Sequence, residues 1–402
     1  MPSEFAHHWT LDPAVNFLNH GSYGAAPREV LAVQQAWRDR IEAEPVRFFS
    51  ELEAELDEAR RALGAFVGAD PDDLAFVPNA TAGTNAVLRS LRFRAGDELL
   101  TTDHAYNAVK NAMEYVAERD GARVVIAPVP FPIDAPDQVG AAVLAATTPR
   151  TRLAVLDHIT SATALIFPIR QLTGELAQRG IDTLVDGAHA PGQVPLNVKE
   201  VGATYYAANL HKWVCAPKGA GFLWVRRDRQ EEIRPLAISH GANSPRADRS
   251  RFRVEFDWTG TADPSAYLAV PSAISFGEQL LPGGWEALRE RNHALVMAAR
   301  LLLCAAAGIA APAPEAMIGT MASIPLPVRG GGGQVQGVEL YGDPVHAHLL
   351  AHGIQAMITP WPQRPNAGPW RRLVRISAAA YNDLGQYESL AALMPGAIAA
   401  AS

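Results

Sequence analysis

The sequence predicts an α/β fold, with a large, mainly parallel sheet domain followed by a smaller C-terminal α/β domain. Three observations carry this expectation. Short apolar segments alternate with helix-like ones from residue 74 to residue 225, and the rhythm changes after Val225. In addition, 402 residues with 48% hydrophobic content exceed an ordinary single domain and supply an ample core.

Taken in order, residues 1–25 form an N-terminal segment expected to fold back towards the site. The stretch from Pro27 to about Val67 has a helical pattern interrupted near Pro45. Strands are then expected at Leu74–Val77, Glu98–Thr102, Arg123–Ala127, Leu153–Asp157, Asp182–Asp186, Ala203–Ala207 and Gly221–Val225. Segments 107–119, 137–147 and 169–179 between them have helix-like composition. Such alternation implies crossover units, hence parallel pairing with helices on both faces. Two long helical stretches follow, 263–280 and 284–307, then strands near 318–326, 354–359 and 372–378, with a surface turn at Gly330–Gly333. The expected domains are therefore a large one over residues 26–270 and a small one over 271–402.

Net charge is −7 with no basic block, so nucleic acid is not an expected partner. Two cysteines, Cys215 and Cys304, are too few for a disulfide framework and fit a reducing compartment. Met1 to Thr10 contains no apolar run, and the apolar stretch Ala294 to Ala313 is broken by Gly308 and Pro312. The expectation is a cytoplasmic protein without a membrane partner.

Asp186 ends an apolar strand within Asp186-Gly187-Ala188-His189, and Lys212 follows the next strand within Asn209-Leu210-His211-Lys212-Trp213. A carboxylate and an amine so placed can bracket a pyridine ring. The carboxylate keeps the ring nitrogen protonated, and the amine forms a Schiff base with a ring aldehyde. Those are the tasks a protein performs for pyridoxal 5'-phosphate. Strand ends of open α/β sheets are where ligands bind, and bulky neighbours can lower a lysine's pKa. Phosphate needs a helix N-terminus with small residues, which Asn79-Ala80-Thr81-Ala82-Gly83 offers after the strand Leu74–Val77. His189 could reach the phenolic oxygen of such a cofactor.

The set Asn79-Ala80-Thr81, Asp103-His104-Ala105-Tyr106-Asn107, Asp186 to His189, His211-Lys212-Trp213, Gly260-Thr261 and Arg375-Ile376-Ser377 with Tyr381-Asn382 resembles class V aminotransferase-type enzymes dependent on pyridoxal phosphate. Asn16 to Gly24 and Lys212 to Gly219 are similar to the isopenicillin N epimerase-like group. The resemblance spans about residues 12 to 395. It implies the fold type I transferase architecture and a homodimer with shared active sites. Lys212 would carry the cofactor, Asp186 would pair with the pyridine nitrogen, and His189 would contact the ring oxygen. Asn79, Ala80, Thr81 and His211 belong to the implied phosphate cradle. Gly260 and Thr261 would serve the phosphate of the neighbouring subunit's cofactor. Arg375 would clamp a substrate carboxylate, a task that suits its planar fork, with Asn19, His20 and Gly21 on the substrate side. Either Tyr106 or His104 would stack on the ring; Tyr106 is favoured because it lies where the loop enters the helix.

Related desulfurases need a cysteine on a C-terminal loop, and the corresponding stretch Thr359 to Asn366 has none, which disfavours persulfide chemistry. Cys215 is expected to be packed. His346, His348 and His352 lack a further ligand at matching spacing, so no metal is expected. The implied substrate is an amino acid or peptide-like amine whose α-proton Lys212 removes. Return of a proton to the opposite face, with Tyr106 as the acid, gives an epimerase or racemase, the leading expectation. Loss of a β-substituent, with Tyr106 or His20 protonating it, gives a C–S lyase acting on a cysteine-derived thioether or sulfoxide. Transamination ranks third. Phe48-Phe49, Trp258 and Trp361 are candidate aromatic walls of the substrate pocket.

Overall fold

The computed structural model describes residues 3–327, 342–362 and 371–400. The turn at Gly330–Gly333 and residues 363–366 of the C-terminal loop lie outside them. The described strands are β1 (Asn16–Phe17), β2 (Leu74–Val77), β3 (Glu98–Thr102), β4 (Arg123–Ala127), β5 (Thr151–Asp157), β6 (Asp182–Asp186), β7 (Tyr205–Asn209), β8 (Gly221–Val225), β9 (Met321–Pro325), β10 (Ile354–Gln355), β11 (Met357–Trp361) and β12 (Arg371–Ser377). Seven of them form one sheet in the order β2-β8-β7-β6-β5-β3-β4. From β7 to β4 every pairing is parallel, and β8 runs antiparallel to both β7 and β2. The interior strands β3, β6, β7 and β8 are buried almost throughout, as expected where helices cover both faces.

The helical stretch near Pro45 splits into Arg28–Ala43 and Pro45–Val67, because proline starts a helix more readily than it continues one. Residues 263–280 form two helices, Ser265–Leu268 and Val270–Gln279, with Pro271 in the first turn of the second. The strand expected at Ala203–Ala207 lies two residues later. Gly202 adopts φ +73° to end the short helix Val198–Val201, and pairing with β8 continues as far as Asn209 opposite Gly221. The segment near 354–359 divides between sheets: β10 pairs with β1, and β11 joins the antiparallel β11-β12-β9 sheet. No helix of the described residues is long and apolar enough to cross a membrane.

The N-terminal segment links these parts. Leu18 donates its N–H to Gln355 and accepts from Ser377, after which the chain turns through the helix His20–Tyr23. Gly24 has φ +67°, and a Cβ there would run into the carbonyl of His211, so the turn rests directly on the backbone before Lys212. Gly24→Ala is therefore expected to destabilise the protein by about 2 kcal/mol or more. Chemical denaturation checks this; an unchanged midpoint would mean that the contact is not tight.

Candidate active site

The carboxyl ends of β5, β6 and β7 open onto a cavity of about 300 Å³ lined by Asp157, Asp186, Asn209 and Lys212. Asn79, Ala80, Thr81, Gly21, His189, His211, Tyr106 and Arg375 line the same cavity. Residues from separate parts of the sequence thus converge where open α/β sheets hold ligands.

The Lys212 amine is buried and lies 3.2 Å from His189 Nε2. Burial first, and the charge of Arg375 second, lower its pKa to about 7, while Asp186 works in the other direction. Trp213 Nε1 donates to His189 Nδ1 at 3.4 Å. The imidazole proton is thereby placed on Nε2, facing the lysine. Burial and the Lys212 charge hold His189 well below the ordinary histidine value, so the ring is neutral. Behind the lysine, His20 Nε2 donates to the Lys212 carbonyl at 2.9 Å and its Nδ1 accepts from the Tyr381 hydroxyl at 2.7 Å. Burial lowers the His20 pKa to about 4.

Asp186 is 6% exposed and accepts a hydrogen bond from the Ala188 N–H at 2.9 Å. Burial raises its pKa despite that bond and the Lys212 charge. Asn79 caps the helix Ala80–Ser90 by accepting from the Ala82 N–H at 2.9 Å, and Asn209 accepts from the Ala80 N–H at 2.8 Å. The Ala80 amide is thus already satisfied within the protein, whereas Thr81 stands at the cavity wall in the same turn. His211 donates from Nδ1 to the Ala220 carbonyl at 3.0 Å, and burial lowers its pKa to about 4.

Arg375 is 2% exposed, and its guanidinium is held at both ends. Nη1 donates to the Ser161 carbonyl at 2.8 Å, and Nη2 donates to Ser22 Oγ at 2.8 Å and to Asn19 Oδ1 at 3.2 Å. Preorganisation of this kind suits recognition of a planar carboxylate.

Several expected residues lie elsewhere. His104 is buried away from the cavity: its Nε2 donates to the Val129 carbonyl at 3.1 Å, its Nδ1 accepts from Thr163 Oγ1 at 2.6 Å, and Trp361 packs on its ring. Of the two stacking candidates only Tyr106 lines the cavity, half-exposed. Both His20 ring nitrogens are engaged, with the Lys212 carbonyl and the Tyr381 hydroxyl, and His20 does not line the cavity. Gly260 and Thr261 are exposed and outside the cavity of their own chain. Among the expected aromatic walls, Phe48 is in the core, Phe49 and Trp258 line a separate apolar groove, and Trp361 covers His104. Cys215 is packed with its thiol pushed up to about 12 by burial. Among the described residues no group of His, Cys, Asp and Glu could hold a metal.

Sequence reasoning assigned no role to Asp157, Asn209, Ser22, Tyr23 or Ser161, all of which line the cavity. Asp157 had the same signal as Asp186, an acidic residue closing a buried strand. The serines had none, since their place depends on the path of the N-terminal segment and the loop after β5.

A buried amine with a pKa near 7 is a nucleophile at neutral pH. In cofactor-free protein, modification of Lys212 by an amine-specific acylating reagent is expected to rise with pH through about 7, read by peptide mass spectrometry. A midpoint near the ordinary lysine value would contradict the burial argument.

A family model described as aminotransferase class-V matches residues 20–326. Isopenicillin N epimerase of Amycolatopsis lactamdurans is 36% identical over 400 residues, covering 95% of each chain. Isopenicillin N epimerase of Streptomyces clavuligerus is 38% identical over 332 residues, 79% of this chain and 82% of its own. A putative L-cysteine desulfhydrase of Oryza sativa is 35% identical over 345 residues, 81% of this chain and 70% of its own. Among solved structures, a cysteine desulfurase of Thermococcus onnurineus superposes with a TM-score of 0.78 at 19% identity, covering 99% of each chain. The cystine C–S lyase C-DES superposes with a TM-score of 0.74 at 20% identity, over 94% of this chain and 97% of its own. With its mainly parallel sheet, its converging lysine and aspartate, and these matches, the chain belongs to the class V aminotransferase family of pyridoxal-phosphate-dependent enzymes.

Proposed function

We propose that this pyridoxal-phosphate-dependent enzyme acts at the α-carbon of an amino acid or peptide-like amine and inverts it, as an epimerase or racemase. The residues present fit the cofactor. Lys212 offers an amine that is partly unprotonated at neutral pH, and a capped helix N-terminus at Thr81 faces the same space. Buried carboxyl groups at the ends of β5 and β6 suit a cationic ring nitrogen. When bound, pyridoxal phosphate accepts the electrons left on the α-carbon by loss of its proton.

The observation that carries the proposal is the pairing of Lys212 and Tyr106 in one cavity with opposite proton preferences. Lys212, with a pKa near 7, can take a proton at neutral pH. Tyr106 holds its proton, because burial and then the Asp186 charge raise its pKa. One group that removes a proton and another that delivers one are what inversion requires. Arg375, with Ser22 and Ser161 fixing its fork, would hold the substrate carboxylate, and His189 would orient the lysine amine. The relatives named isopenicillin N epimerase support the same outcome.

The plant relative named L-cysteine desulfhydrase favours a second reading, a C–S lyase. There Tyr106 would protonate a departing sulfur; His20 is withdrawn from this role by its bonds to Lys212 and Tyr381. We further propose a homodimer in which Gly260 and Thr261, exposed outside their own chain's cavity, serve the neighbouring subunit's site.

A panel of amino acids incubated in deuterated water separates these readings. Inversion gives α-deuteration with mass otherwise unchanged, whereas a lyase releases a keto acid and a thiol or sulfenate. Neither product with any amino acid would refute both. Tyr106→Phe is expected to slow inversion by about 10²–10⁴-fold while Lys212-dependent proton loss persists. Equal inversion rates in the variant would remove Tyr106 from the mechanism.

A further inference from the structure

Asp157 has no individual role in the scheme above, yet it lines the same cavity. It closes β5 as Asp186 closes β6, and the two are register partners in adjacent parallel strands. Such strands run about 4.8 Å apart, and partners in register point to the same face. Both residues line the cavity, at 4% and 6% exposure. Two carboxyl groups so close, and so far from water, do not both ionise; one proton is retained between them.

We propose that Asp157 is a positioning residue that stays a neutral carboxylic acid beside ionised Asp186. The pair would then meet the cationic ring nitrogen of a bound cofactor with a single negative charge. Asp157 supplies an O–H that the Asp186 carboxylate can accept. This fixes the orientation of Asp186 and keeps a second, uncompensated charge out of the cavity.

The surroundings say which member keeps the proton. Asp186 accepts from the Ala188 N–H, which favours its ionised form, and any positive charge on Lys212 acts in the same direction. Against Asp157 stand burial first and the Asp186 charge second. Lys110, from the helix Asn107–Asp120, the Asp157 backbone N–H and the Tyr106 N–H at the start of that helix favour its ionisation, but they do not outweigh the first two. Tyr206 on β7 and Tyr106, two further titratable neighbours of Asp186, are kept neutral by burial and by the Asp186 charge. The proton thus resides on Asp157. This assignment needs only the cofactor, and it holds for either reaction outcome.

Infrared difference spectroscopy of the cofactor-loaded protein tests it. The wild-type enzyme at neutral pH is expected to show a protonated-carboxyl stretch that shifts in deuterated water and is lost in Asp157→Asn. Wild-type protein with carbon-13-labelled aspartate gives the same readout by NMR without any substitution, as one aspartate that stays protonated through neutral pH. Asp157→Leu, which removes the hydrogen bond that the asparagine amide can partly replace, should shift the pH dependence of the bound cofactor's visible absorbance more than Asp157→Asn does. Absence of a protonated aspartate at neutral pH, or its survival in Asp157→Asn, would overturn the proposal. So would identical cofactor titrations in Asp157→Leu and the wild type. A failed epimerase assay would leave all three readouts intact, so the two ideas fail separately.

Discussion

Burial of charge at the carboxyl ends of three neighbouring strands is the constraint on which the rest of this structure depends. An ammonium and two carboxyl groups share one small cavity with little access to water. Isolated ions there are costly, so each group settles into the protonation state that its neighbours allow. The amine approaches neutrality near pH 7, the tyrosine keeps its proton and the surrounding imidazoles stay uncharged. Reactivity follows from this balance, because an amine that is neutral at working pH is a nucleophile and a base.

The fold exists to hold that balance in place. Parallel pairing from β7 to β4 brings Asp157, Asp186 and Asn209 to one edge. The N-terminal segment then closes over it, zipped to β10, seated on the lysine loop through Gly24 and tied to Arg375 through Asn19 and Ser22. His20 joins Tyr381 to the Lys212 carbonyl, so the turn after β12, the N-terminal turn and the lysine loop are linked through one imidazole.

Much of this was legible in the sequence because its signals are local. Unbroken apolar runs between helical segments located the strands of the large sheet to within two residues, and a terminal aspartate or a following lysine marks a strand end directly. What was not legible depends on tertiary geometry. The choice between His104 and Tyr106 turns on the rotation of a loop whose histidine finds Thr163 and Val129 as partners. Ser22 and Ser161 acquire meaning only when Arg375, more than 200 residues from either, arrives between them. The aromatic residues expected around the substrate were drawn instead into the core or a separate groove, since a large apolar ring gains more from packing than from lining a polar cavity.

The central claim is that Lys212, and no other lysine, is the covalent anchor of the cofactor. Borohydride reduction of the holoprotein, followed by peptide mass mapping, tests it directly. A single pyridoxyl group on Lys212, absent from Lys212→Ala, is the expected result. Label on Lys110 or Lys218, or equal labelling of the variant, would contradict the assignment on which the rest of the site is built.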